Sequence, residues 1–250
     1  MAAALAAVFG ALAQAPSNRD AGVRALPRNE TLSYNVEWRF IHAGNARLVW
    51  SPSNGMRGGW STHLHLESAG LVSRLFKVSN DYSSQLNDRL CVVSSLLRAN
   101  EGTRRRDTIV TFDAARRKAN YVERDLVRNT SISQENDVAS CEHDVIGALY
   151  QLRAMRLEPG RSAELPVSDG KKSVIGRVEA QERETIKTDF GSYRTIRYEA
   201  FLFNNVLYRR QGRVFVWLTD DDRRLPVQIR VRLPIYIGTV TLQLEKEGNA

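Results

Sequence analysis

His63, His65 and Glu67 lie in the stretch HLHLE, with one leucine between successive polar residues. If this stretch is a strand, the three project from one face and Leu64 and Leu66 from the other. Histidines at i and i+2 have Cα atoms about 6.6–6.8 Å apart and can share one metal ion. A carboxylate at i+4 completes a facial set of the kind that holds a transition metal in an enzyme. The same pattern also describes the solvent side of a half-buried strand. His42 and His143 are isolated in sequence and offer no further ligand.

The second cluster is Asp220, Asp221 and Asp222, between the apolar runs VFVWL and LPVQIRVRL. Three carboxylates suggest a cation, but calcium needs more oxygen ligands than the stretch supplies. Aspartate is also a turn residue, because its side chain accepts from backbone N–H groups two residues on. With alternating apolar residues on both sides and Arg223 and Arg224 following, a structural hairpin turn is the expectation. Other catalytic patterns are lacking: the sequence has no G-x-S-x-G, no H-E-x-x-H and no phosphate-cradling glycine loop. Glu182 and Glu184 share a strand face, a common arrangement on solvated strands.

Cys91 and Cys141 are the only cysteines. An even pair forms a disulfide in an oxidising compartment, and two buried thiols are the alternative. A bridge would close a loop of about 50 residues, for which chain entropy suggests roughly 4 kcal/mol. Export is consistent with the N-terminus, where residues 2–13 form an Ala-rich apolar run of signal-peptide length. Ala11-Leu12-Ala13 and Ala13-Gln14-Ala15 both fit a cleavage site. No basic residue precedes the run, as a start placed too late would leave it. We therefore expect a signal peptide over 1–15, a loose leader over 16–29, and a periplasmic or otherwise exported envelope protein.

The chain has 250 residues, 42% hydrophobic and 8% aromatic, with a net charge of +8. That is ample for a packed core and excludes disorder. The excess charge suits anionic partners. The arginines are nevertheless scattered, and Arg104-Arg105-Arg106 reads as a solvated hairpin turn. With no basic helix and no aromatic-interleaved basic strand, nucleic acid is not an expected partner. No apolar stretch approaches a membrane-spanning length.

The elements that must position these residues are mostly strands. In LSYNVEWRF, Leu32, Tyr34, Val36, Trp38 and Phe40 alternate with polar residues. WSTHLHLES, KVSNDYSSQL, CVVSSLLRA, DTIVTFDA and KANYVERD follow, and strands resume from SAELPVS to GTVTLQLEK. GLVSRLF suits one or two helical turns. CEHDVIGALYQLRAM alone has sustained helical spacing, with Ser140 as its cap and Arg153 and Arg156 in its last turn. The fold class is therefore mainly β: one antiparallel meander, curved, sandwich-like or barrel-like, with one central helix around 142–156. The expected domain is single and spans 30–247.

Three segments also carry a resemblance. Trp217, Asp220, Asp221, Arg223 or Arg224, Leu225-Pro226 and Gly238 resemble the C-terminal signature of the bacterial domain-of-unknown-function family 3108. Asp144, Ala148, Leu149, Tyr150 and Arg153 resemble its central helix, and Glu30, Leu32 and Tyr34 its first strand. IGALY stands where a Ser-Ala-Leu-Tyr run is common. The resemblance implies an exported, β-rich envelope protein and supplies no catalytic residues.

Three functions remain open. One is a non-catalytic module holding a lipid or other amphiphile in a sheet cavity, without a cofactor. Its helix closes one side, and Trp38, Phe215 or Trp217 line the interior. This expectation rests on VFVWL being apolar on both faces. The second is a structural or assembly factor acting through protein contacts. The third is a metal-dependent enzyme built on His63, His65 and Glu67.

Overall fold

The computed structural model describes residues 26–248. The signal-peptide segment and most of the leader lie outside the described residues. The first half runs β1 (Glu30–Trp38), β2 (Ile41–Pro52), β3 (Trp60–Ser68), the short helix α1 (Gly70–Leu75), β4 (Val78–Leu86), β5 (Val92–Glu101), β6 (Arg104–Asp113), β7 (Lys118–Asp125) and β8 (Thr130–Asp137). After α2 (Val145–Ala154) come β9 (Ser162–Ser168), β10 (Ser173–Thr188), β11 (Gly191–Phe201), β12 (Arg213–Thr219), β13 (Pro226–Arg232) and β14 (Thr239–Gly248).

All fourteen strands form one sheet, ordered β8-β7-β6-β5-β4-β3-β2-β1-β14-β13-β12-β11-β10-β9. The chain starts at the centre and meanders out to one edge. Helix α2 then crosses to the other edge, and the second meander returns until β14 pairs antiparallel with β1. This is the expected antiparallel meander, left unclosed between β8 and β9. Features outside the strand ladders also link its halves. The disulfide Cys91–Cys141 ties the chain before α2 to the start of β5, with Cα atoms 4.9 Å apart. The β9–β10 turn reaches β6, β7 and β8: Gly170 lies against Val110 and Tyr121, and Asn136 Nδ2 of β8 donates to its carbonyl at 2.7 Å. Gly170 has φ +87°, and a Cβ there would lie 2.6 Å from Val110. Only glycine meets both conditions.

The helix begins later than its sequence pattern predicts. Asp144, not Ser140, is the cap, and its Oδ1 accepts from the Gly147 N–H at 2.5 Å. The preceding residues are held extended by the sheet. Val92 N donates to the Glu142 carbonyl at 2.8 Å, His143 N to Pro166 O at 3.0 Å, and Ser168 N to His143 O at 3.0 Å. Local propensity for a longer helix loses to these pairings.

Packing follows the alternation. Leu32, Tyr34 and Val36 of β1 and Ala46, Leu48 and Trp50 of β2 are buried on one face, in register as Leu32↔Leu48 and Tyr34↔Ala46. Tyr150 of α2 stacks on Trp50 with ring centroids 3.9 Å apart, and Trp60 also stacks on Trp50, at 4.7 Å. Such stacking adds roughly 0.5–1.5 kcal/mol per pair beyond burial. Below Tyr150, Arg153 forms a two-pronged bond with Glu30, at 2.6 and 2.8 Å. The Arg153 Nε and Nη2 also donate to the carbonyls of Arg224 and Arg223, at 3.0 and 3.2 Å. Burial alone would lower Arg153, but the Glu30 carboxylate more than offsets this and holds its pKa above the usual range. One guanidinium thus fastens the first strand, the helix and the aspartate turn together. These are the three segments that carry the family resemblance.

Candidate functional site

The candidate site lies along α2. The helix is apolar on most of its circumference, as a helix enclosed by a sheet must be. On one flank, Val145, Ala148 and Leu152 face Leu165, Val178, Val214 and Val216 across an almost wholly apolar cavity of about 130 Å³. That compares with the roughly 150 Å³ of a dry cavity that accepts benzene, and it suits a few methylenes rather than a whole chain. On the other flank, a cavity of about 520 Å³ opens between the helix start and the inner face of β3–β7. This lies within the usual range of roughly 300–1,000 Å³ for ligand sites. Val145 and Ile146 line both cavities.

The larger cavity grades from apolar to charged. Inward positions of consecutive strands supply it: Ser95, Leu97 and Ala99 on β5, Arg106, Thr108 and Val110 on β6, and Tyr121 and Glu123 on β7. Lys171 of the β9–β10 turn and Tyr208 of the β11–β12 loop complete the wall. Tyr121 Oη donates to Glu123 at 2.5 Å, and the Lys171 ammonium stands 3.3 Å from the same carboxylate and over the Tyr121 ring. The Tyr121 bond, then Lys171 and Arg106, hold the Glu123 carboxyl below its usual range against its partial burial. Arg106 approaches Glu101 and Glu123 at 3.4 and 4.0 Å, yet its buried Nε has no hydrogen-bond partner. Deeper in, Tyr82 Oη donates to the Asp144 carboxylate at 2.6 Å, and burial followed by Asp144 raises the phenol well above its ordinary pKa.

These residues escaped the sequence reading. Arg106 was expected in a solvated turn; Arg104 and Arg105 are exposed, but Arg106 turns inward as the third residue of β6. The one available signal was the alternation Arg106, Thr108, Val110, which places an arginine on an apolar face.

The residues singled out by type lie elsewhere. His63, His65 and Glu67 do share a face of β3. His65 Nδ1 and His63 Nε2 approach Asp81 of β4 at 2.9 and 3.3 Å, and His65 Nε2 stands 3.7 Å from Glu67. All four side chains are a third to a half exposed. Among the described residues, no group of three or more His, Cys, Asp or Glu is disposed to hold a metal ion. Asp220, Asp221 and Asp222 occupy the β12–β13 turn, each with its own partner. Asp220 meets Arg183 at 3.0 Å, and Asp222 meets Arg156 at 2.6 Å. Asp221 Oδ1 accepts from Thr219 Oγ1 at 2.6 Å and from the Arg223 and Arg224 N–H groups at 3.1 Å.

Phe215 and Trp217 are buried, but Val214 and Val216 are the residues of β12 that face the helix cavity. The two aromatics lie on the opposite face, in a separate pocket lined by arginines. Trp38 lines neither cavity beside the helix; its indole donates to the Ile237 carbonyl at 2.7 Å and fastens the β13–β14 loop.

An unclosed antiparallel sheet wrapped around one helix is a barrel-like architecture. A protein described as beta-barrel-like, of domain of unknown function DUF1849 from Brucella abortus, superposes with a TM-score of 0.54 at 7% identity, covering 89% of this chain and 98% of that one. A candidate exported protein with a YmcC-like fold from Bacteroides fragilis aligns at TM-score 0.39 and 8% identity, over 89% of this chain and 97% of that one. No curated protein matches the sequence. The chain belongs to the family described as protein of unknown function DUF3108, whose model matches residues 33–245.

Proposed function

We propose that this protein is a non-catalytic envelope protein that holds an amphiphile beside α2. Apolar segments would lie against Val145, Ile146 and the small cavity, with an anionic or strongly polar head group near Arg106 and Lys171. One observation carries the reading: two cavities share Val145 and Ile146, and their lining passes from almost wholly apolar to a wall that carries Arg106 and Lys171. Long basic side chains on the wall of a largely apolar cavity suit an anionic or strongly polar head group. The disulfide and the Ala-rich N-terminal run support an oxidising, exported setting.

Titration with an environment-sensitive anionic amphiphile tests this. Saturable enhancement is expected, competed by fatty acid and lost in Val145→Trp, which fills the junction of the cavities. Enhancement that Val145→Trp leaves unchanged would count against it.

A second reading, an assembly factor acting through protein contacts, is favoured by one sheet end. Phe40 is 97% and Ile235 93% exposed, and Ile41, Tyr236, Leu71, Leu75 and Phe76 are exposed nearby in strand order. Arg39 joins two of these loops by donating to the Ile235 and Tyr236 carbonyls. Exposed apolar side chains at that density mark a contact surface. A photo-crosslinker at position 40 should give one discrete adduct in cells if a protein docks there; labelling no stronger than at Ile109 argues against it.

A further inference from the structure

On the sheet face opposite α2, a pocket of about 210 Å³ is lined by Arg197, Arg213, Arg230, Arg232, Phe215 and Trp217, with Glu184 and Gln181 at its side. The arginines stack on the aromatics. Arg213 and Arg232 lie over Phe215 at 4.8 and 5.2 Å, and Arg230 lies over Trp217 at 5.0 Å. A stacked guanidinium keeps its in-plane N–H groups free for an anion.

Ion pairing across the pocket is uneven. Glu199 engages Arg213 at 2.6 Å, while Glu182 and Glu184 engage Arg197 at 2.8 and 3.4 Å. Glu184 also accepts from the Trp217 indole at 2.7 Å. Among the described residues, Arg230 and Arg232 form no ion pair. Glu37, on β1, is the further carboxylate that acts on Arg230. Arg213 and Arg232 are moreover direct register partners on β12 and β13. Like charges placed directly opposite destabilise a sheet. Burial, then the Arg232 charge, holds Arg230 below the usual guanidinium range. Simple solvation would favour splayed, separately paired arginines; here two guanidiniums without an ion-pair partner converge on a concave aromatic floor.

We propose that this pocket is a binding site for a phosphoryl dianion, its two negative charges matched to Arg230 and Arg232. Two sources share that chemistry, a soluble phosphate and a lipid head group, and the test separates them. The full chain is titrated with inorganic phosphate by calorimetry at an ionic strength fixed with chloride. It is also incubated with phosphatidylcholine vesicles with and without phosphatidic acid. Saturable phosphate binding, weakened at least about tenfold in Arg230→Gln/Arg232→Gln, supports a soluble ligand. Retention by phosphatidic acid vesicles alone, lost in the same variant, supports a head group. No binding in either arm, or binding that the double variant leaves unchanged, overturns the proposal. The double variant should melt no lower than the parent without phosphate, since it relieves repulsion, and should lose any rise in melting temperature that phosphate gives the parent. Val145→Trp should leave this site intact, so failure here and failure of the amphiphile reading are separable.

Discussion

At the scale of single residues, Asp221 and Arg153 are positioning groups. The Asp221 carboxylate closes the β12–β13 turn through two backbone N–H groups and Thr219. Asp221→Ala should cost about 1–2 kcal/mol in denaturant melts, and Asp221→Asn, which keeps an acceptor, clearly less. No calcium-dependent shift in melting temperature is expected in either. Glu30→Gln, which leaves Arg153 buried and unpaired, should cost about 3–5 kcal/mol in the same melts. His143 sets a pH response. Burial holds its imidazole below the ordinary value of 6.5, and its Nδ1–H donates to the Leu90 carbonyl at 2.9 Å. The unfolded chain therefore takes up the proton first. Stability is intact above the ordinary imidazole range and falls as pH drops through it. Burial raises Glu142, which opposes this at lower pH, so His143→Gln is the clean comparison. It should lose less stability than the parent between pH 7 and pH 5. Residue types alone pointed to His63, His65 and the aspartates, because those clusters are contiguous in sequence. Arg106, Tyr121, Glu123 and Lys171 come from three places in the chain, and only strand register assembles them.

At the scale of elements, the alternation of apolar residues located most strands because they have one face on the core; β8 (Thr130–Asp137), with no buried residue, carries no such signal. The spacing around Leu149 and Leu152 located α2. The helix start was hidden because Glu142 bonds to Val92 in one sheet half and His143 to Pro166 and Ser168 in the other, a tertiary effect absent from local propensity. The inward face of β12 was hidden for another reason. Val214 and Val216 alternate with Phe215 and Trp217, so both faces are apolar, and arginines from neighbouring strands cover the second. Trp217 is still 3% exposed, so Trp217→Ala should cost about 3–5 kcal/mol. The disulfide pins the lead-in of α2 to β5 across a separation of 50 residues. Replacing both cysteines with serine should cost roughly 4 kcal/mol on the chain-entropy account, measured by chemical denaturation under oxidising conditions. An equal melting midpoint for the two proteins would contradict that role.

At the scale of the whole molecule, the sheet runs from its centre to both edges and α2 occupies the space between. No described helix is long and apolar enough to cross a membrane. The interior is not fully packed by side chains: the 520 Å³ cavity is the volume an amphiphile would fill, and Arg106 and Lys171 stand on its wall. The most direct measurement is mass spectrometry of solvent extracts from the natively purified protein and its Val145→Trp variant. Amphiphile binding predicts a near-stoichiometric lipid or other amphiphile from the parent and little from the variant, with both proteins folded. A parent that yields no such molecule, or a variant that yields as much, would contradict it.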